Sequence, residues 1–278
     1  MGPGRLFKNV GTQVERNRPI YLRVCVLGSG SRGNSIFIES PNTRLLIDAG
    51  FNAALTAEKL GRLGVSLGDI NAILLTHEHA DHAGGIKPLL KASGAHLYTN
   101  EKTRSALNLR KQTPSSLLEF QTNEPFFIQD FKIYPFSVPH DAADTVCFTL
   151  ENERWKVGIA TDFGMIQPSI IEALKGCSVL VLEFNHDPNL LERGPYHPSL
   201  KERIRGNYGH LSNQDSAVLL KQVIHPKLQH VYLAHLSHAN NSGEIAALAA
   251  SEAVADTGCE CVHIQPTWQD FISPVARL

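Results

Sequence analysis

The apolar positions of this chain fall into short runs separated by glycine, proline, asparagine and aspartate. Runs rich in β-branched and aromatic residues and bounded by such turn-formers predict strands. YLRVCVL, SIFIES, RLLIDA, AILLT, AHLYT, FKIYPFSV, TVCFTLE, WKVGIAT, VLVLEF and HVYLAHL all read this way. Where the apolar positions recur at three and four residues, helices are predicted: AALTAEKLGRL, DHAGGIKPLLKAS, TRSALNLRK, PSIIEALKG, SNQDSAVLLKQVI and GEIAALAASEAVAD. Pro168 suits the first turn of its helix. Strands outnumber helices and several neighbours read as hairpins, so the expected architecture is α/β, with packed sheets flanked by helices and no internal repeat. Residues 1–20 are polar and punctuated by Gly, Pro and Asn, and are read as a flexible N-terminal extension ahead of one domain over 21–278.

Composition narrows the class. A chain of 278 residues, 42% of them hydrophobic, can bury a sizeable core. The formal net charge of -1 excludes a global positive field, so contact with a polyanion needs a local basic patch. The best such patch is Arg193, Lys201, Arg203 and Arg205, around His197 in RGPYHPSLKERIRG, although a solvated helix face is the commoner fate of such charges. Five scattered cysteines (25, 147, 177, 259, 261) lack a disulfide-framework spacing, and Cys259-x-Cys261 is too close a lone pair for a zinc site; a reducing cytoplasm fits. Neither a signal peptide nor a run of apolar residues long enough to span a membrane is evident, so a cytoplasmic protein without a membrane partner is expected.

Two motifs compete for the chemistry. Gly28-x-Gly30-x-x-Gly33, with Asp48 twenty positions beyond Gly28, matches the nominal dinucleotide fingerprint. That fingerprint needs a helix to open at its glycines, and NSIFIESP follows instead, so the segment reads as a turn between strands. The second motif is LLTHEHADHAGG. His77 and His79 point to one side of extended chain, while Asp81 and His82 begin the next helix and turn back toward the same point. Gly84 and Gly85 let that helix start lie close to an ion or substrate. Further ligands are expected just past strand ends, where His140, Asp162 and His235 lie. The seven groups divide into two sets: His77, His79, His140 with Asp162, and Asp81, His82, His235 with Asp162 again. Imidazole with carboxylate suits two divalent ions, zinc, manganese or iron.

The pattern His77-x-His79-x-Asp81-His82, then His140, Asp162 and His235, with Asp48 in LLIDAG, resembles the metallo-β-lactamase superfamily. The resemblance spans about residues 21–270 and implies a four-layer αβ/βα sandwich of two mixed β-sheets flanked by helices. It also implies that Asp48 steadies the metal-binding loop without touching metal; a strand-end turn aspartate is the alternative. GHLSNQDSA places His210 ahead of Ser212, a helix cap. This is similar to the helix of tRNase Z-type phosphodiesterases whose histidine contacts the scissile phosphate and helps protonate the leaving oxygen; a buried, structural His210 is the alternative. A narrower resemblance, carried by LGSGSRGNS, VPHDAADTVCF, ATDFG, EFNHDPNLLERGPY and GHLSNQDSA, is to the YycJ/WalJ-type branch of nucleases, and implies 5′-to-3′ exonuclease action on DNA.

The resulting expectation is a dinuclear metal-dependent phosphodiesterase in which a metal-bridging hydroxide attacks, Asp81 and Asp162 position it, and His210 serves the leaving group. His186 and His238 are candidate substrate contacts; the alternative for His186 is a turn-stabilising side chain, and for His238, which with Asn240 and Asn241 follows a ligand, it is orienting that ligand or an ordinary polar loop. A thioester or lactone hydrolase on the same centre, and a noncatalytic metal-binding scaffold, are the competing classes. β-Lactam hydrolysis is disfavoured by the absence of a visible export signal.

Overall fold

The computed structural model describes residues 20–109, 116–259 and 261–278. Residues 1–19 of the expected extension, and the end of the segment TRSALNLRK, lie outside these. The strands β1 (Arg23–Gly28), β2 (Ser35–Glu39), β3 (Arg44–Ile47), β4 (Ala72–Leu74), β5 (His96–Thr99) and β6 (Leu117–Glu119) form one sheet with β14 (Ala276–Arg277), in the order β14-β1-β2-β3-β4-β5-β6. The second sheet holds β7 (Phe126–Ile128), β8 (Phe131–Ser137), β9 (Val146–Glu151), β10 (Lys156–Ala160), β11 (Val179–Glu183), β12 (His230–Ala234) and β13 (His263–Pro266), in the order β13-β12-β11-β10-β9-β8-β7. Each sheet is mixed. β3 to β6 run parallel in the first and β10 to β13 in the second, with antiparallel pairs completing each.

Strand sequences without a polar face follow from burial on two sides. Along β1, Val24 and Val26 enter the core between the sheets, while Cys25 and Leu27 enter the outer core of the first sheet. Along β12, Tyr232 and Ala234 face the central core, and Val231 and Leu233 the outer core of the second sheet. Helices α1 (Ala53–Gly61) and α3 (Ile86–Ser93) cover the first sheet; α5 (Pro168–Leu174), α8 (Asn213–Val223) and α9 (Gly243–Ala255) cover the second. The four layers expected from the resemblance are therefore present.

The glycine-rich fingerprint segment connects the antiparallel strands β1 and β2, so no helix opens there. DHAGGIKPLLKAS, expected as one helix, is two: α2 (Ala80–Ala83) and α3, divided at Gly84–Gly85. The reason corrects the role assigned to those glycines. A Cβ on Gly85 would lie 1.7 Å from the Phe51 carbonyl oxygen and 2.8 Å from that of Ala49, so the close approach is to the backbone after β3. Helices α6 (Pro188–Arg193) and α7 (Pro198–Arg205), and the short strands β6, β7, β13 and β14, were not predicted. The remaining helix, α4 (Glu101–Ala106), starts earlier than expected because Asn100 caps it, accepting from Thr103 N.

Candidate metal centre

Strands β3, β4, β10, β11 and β12 end at one edge of the sandwich, and the loop after β8 returns to it. The sharp turns there are unusual. Asp48, Asp162 and His235 each follow a strand end in the left-handed region, with φ of 64°, 64° and 56°. Such backbone costs about 1–3 kcal/mol per non-glycine residue and persists where surrounding contacts over-determine it. Asp48 shows those contacts: its carboxylate accepts from Thr76 N at 2.9 Å and from Thr76 Oγ1 at 3.0 Å, and lies 2.8 Å from His82 Nδ1.

Around this edge the imidazoles form a continuous cluster. His77 and His79 lie with ring centroids 4.7 Å apart, His77 and His140 5.2 Å, and His82 and His235 5.8 Å. Potential donor atoms of His77, His79 and His140 lie within 4.8 Å of one another; so do those of Asp81, His82 and His235, and those of His77, His82 and Asp162. Asp162 thus stands between the two sets, with Oδ2 3.3 Å from His82 Nε2 and Oδ1 3.4 Å from His235 Nε2. All seven residues named from sequence meet here.

Outer partners decide which nitrogen of each ring faces inward. Thr76 donates its hydroxyl proton to Asp48, so His77 Nδ1–H donates to Thr76 Oγ1 at 2.9 Å and Nε2 is left to face His79 Nδ1, 3.1 Å away. His82 gives Nδ1–H to Asp48 and turns Nε2 inward. His235 Nδ1 lies 3.4 Å from Glu183 Oε1, and His140 Nδ1 3.2 Å from the Gly209 carbonyl. These tautomers follow from the hydrogen-bond network.

Buried charges in the cluster offset one another. Burial, the largest single influence, pushes His82 and His235 down, but the carboxylates around them together outweigh it, Asp162 foremost with Asp48 at His82 and with Asp81 and Glu183 at His235, and His235 rises to about 10. Burial also raises a carboxylate, yet for Asp162 the adjoining His235 and His82 prevail and hold it well below its usual range. His77 is pushed well below 6.5, chiefly by burial, and so presents a neutral ring. The donor set also leaves two buried atoms without a hydrogen bond, His140 Nε2 and Asp162 Oδ2. Orphaned buried polar atoms are costly, each of these belongs to a group of donors close enough to share a cation, and so the residues fit divalent metal.

The cleft over these residues has a volume of about 280 Å³ and is also walled by His210, Asn185, Tyr196 and Arg203. His210 precedes the Ser212 cap of α8, and its Nδ1 lies 2.7 Å from Glu183 Oε1. Glu183 was not singled out from sequence. It ends the apolar strand β11, is fully buried, and accepts through Oε2 from Phe163 N at 3.2 Å. Burial raises its carboxyl, but His210 and the hydrogen bonds to it prevail, leaving it lowered and ionised. A single acid closing an otherwise apolar central strand was the available signal. Asn34 was also missed: Oδ1 accepts from Gly30 N, which directs Nδ2 toward Asp81 Oδ2 at 3.2 Å and His82 Nε2 at 3.0 Å.

The other predicted contacts separate. His186 is buried, 3.3 Å from Asn185 Oδ1, and its carbonyl accepts from Asn213 N at the start of α8; Asn185 lines the cleft and His186 does not. His238 is exposed and lines a neighbouring groove. Of the basic cluster, Arg203 reaches the cleft wall and pairs with Asp141, while Arg205 pairs with Glu192.

A four-layer sandwich carrying clustered histidines and aspartates at one strand-end edge defines a metal-dependent hydrolase of the metallo-β-lactamase fold. The family described as Beta-lactamase superfamily domain matches residues 43–236, and the chain belongs to it. It is 34% identical over 239 residues to Exodeoxyribonuclease YycJ of Bacillus anthracis, covering 85% of this chain and 90% of that protein. Exodeoxyribonuclease WalJ of Streptococcus pneumoniae is 33% identical over 231 residues, 82% of this chain and 86% of its own. Among solved structures, the metallo-β-lactamase fold protein YhfI of Bacillus subtilis superposes with a TM-score of 0.71 at 17% identity, over 93% of this chain and all of that one, and shares the fold.

Proposed function

We propose that this chain is a metal-dependent exodeoxyribonuclease acting from the 5′ end of DNA with two divalent ions. Similarity to the YycJ and WalJ proteins along most of their length supports the substrate class. The observation that carries the reading is the Glu183–His210 pair, which sets a protonatable imidazole against two sets of metal donors.

His77, His79 and His140 would hold one ion and Asp81, His82 and His235 the other, with Asp162 shared. When bound, such ions supply Lewis-acid polarisation of the phosphodiester and acidify water. Asp81 and Asp162 would accept hydrogen bonds from the attacking water and aim its oxygen at phosphorus, and the single proton it gives up on attack would leave through that carboxylate pair. Asp48 keeps the inner faces of His77 and His82 presented. Glu183 accepts a hydrogen bond from Nδ1–H of His210, which leaves Nε2 for the cleft; there the ring would contact the scissile phosphate and pass the proton on Nε2 to the departing oxygen, keeping Nδ1–H. The chemistry needs no serine or cysteine nucleophile.

The test uses purified protein with zinc or manganese, metal content measured, on DNA and RNA labelled at either end. Stepwise loss from the 5′ end of DNA, abolished by chelation and restored by metal, is the expected result. No cleavage of any nucleic acid, with turnover of a thioester or lactone, would replace this reading by small-ester hydrolysis.

A further inference from the structure

Beside the metal cleft lies a second concavity of about 560 Å³, which shares Ser31, Tyr196 and Ser237 with it as common wall. The sizes bear on what each can hold. Small-molecule sites run from roughly 300 to 1,000 Å³. At about 280 Å³ the cleft has room for a phosphodiester among its donors, and a flanking nucleoside must lie outside it. The groove next door is large enough for one.

Its chemistry is that of a base platform. Trp268 lies on its wall with 45% of its surface exposed, unusual for so large an apolar side chain. The indole is held in place. Its six-membered ring rests on Gly243, the first residue of α9, where a Cβ would lie 2.5 Å away. On the other side the Trp268 carbonyl accepts from Ser29 N at 3.1 Å. Gln269 then clamps the glycine-rich turn, accepting from Arg32 N at 2.8 Å and donating to Gly33 O at 2.7 Å. A ring fixed in this way loses little freedom when a second ring stacks on it.

Charge argues for the nucleoside over its phosphate. Arg32 at the rim faces Asp270 at 3.2 Å, and Glu244 sits on the same wall, so the groove carries no net positive field for an anion. Exposed His238 adds a second aromatic ring. A stacked base must first be free of its partner strand, so the occupant is unpaired.

We infer that this groove is the nucleoside subsite of the substrate: the base of one nucleotide flanking the scissile phosphodiester stacks on Trp268 while the phosphodiester lies over the metal donors. The inference rests on the nuclease reading. Stacking on an aromatic side chain is sequence-tolerant, and its loss weakens binding on the order of tenfold or more per base.

The experiment scans one abasic residue along a single-stranded oligodeoxynucleotide cleaved by the manganese-loaded protein. At one position next to the cleaved bond, the abasic residue raises the wild-type KM on the order of tenfold. Trp268→Ala shows the same rise with the intact strand and no further rise with the abasic one, whereas Trp268→Phe retains most of the affinity. Metal content and melting temperature report whether Trp268→Ala is folded. A second readout avoids that variant: the chain has two tryptophans, so in a Trp155→Phe background the Trp268 fluorescence is quenched by the intact oligonucleotide and not by the abasic one. If cleavage proceeds but no abasic position is silenced by Trp268→Ala, and no quenching occurs, the subsite is wrong and the nuclease reading stands. If no nucleic acid is cleaved, both fall.

Discussion

Asp48 does not line the metal cleft, yet its carboxylate reaches His82 directly and His77 through the Thr76 hydroxyl. Asp48→Ala is therefore expected to weaken metal binding about 10–100-fold, read by calorimetric titration of metal-free protein; unchanged affinity would mean that packing alone orients the rings. His210 should behave differently. His210→Ala is expected to retain metal while oligonucleotide turnover falls about 10²–10⁴-fold. A p-nitrophenyl phosphodiester, whose leaving group needs no proton, should lose much less; equal losses would remove the proton-donor role. Much of this was legible from residue types. His77, His79, Asp81 and His82 lie so close in sequence that any fold brings them together. Glu183 was hidden because its strand reads as core, and one acid at a strand end has no local signature until its partners arrive, His210 from the loop before α8 and His235 from the end of β12.

At the scale of elements, glycine places the metal loop. The Gly85 N–H donates to Ala49 O at 2.7 Å, and Asn34 N donates to Asp81 O at 2.7 Å, so the loops after β1, β3 and β4 are stitched into one unit. A Cβ on Gly50 would lie 1.9 Å from Asp81 O. Gly85→Ala must shift backbone to fit and should cost about 1–3 kcal/mol or more in urea unfolding, with metal affinity lowered as well; wild-type stability would show that the loops yield freely. The same glycines explain the misjudged helix. Apolar periodicity runs across Gly84 and Gly85, whereas contact with the β3 loop, distant in sequence, breaks the helix between them. Helices α6 and α7 carried a readable start in Pro188 and Pro198 but sit in a polar stretch without an apolar stripe. Strand β14 has two residues and exists by pairing with β1, too little chain to show a period.

For the whole molecule, the cysteines report layer by layer. Cys25, Cys147 and Cys177 are buried in the sandwich, while Cys259 is partly exposed and Cys261 exposed. Burial pushes the Cys177 thiol up to about 12 and that of Cys147 well above its ordinary value. Iodoacetamide at neutral pH should therefore label Cys259 and Cys261 in the native protein and all five cysteines after denaturation, as counted by mass spectrometry. Rapid native labelling of Cys177 would mean that α5 opens from its sheet. No helix among the described residues is long and apolar enough to cross a membrane. By itself the sequence determined the number and kind of most elements, their burial on two faces, and the inventory of imidazoles and carboxylates, because periodicity and residue chemistry are local properties. Tertiary structure alone decided that Glu183 joins His210 and His235 at one edge, which ring nitrogen each histidine turns inward, and which groove adjoins the cleft. Those outcomes depend on strand order and parallel direction, and so on contacts between residues that no local pattern connects.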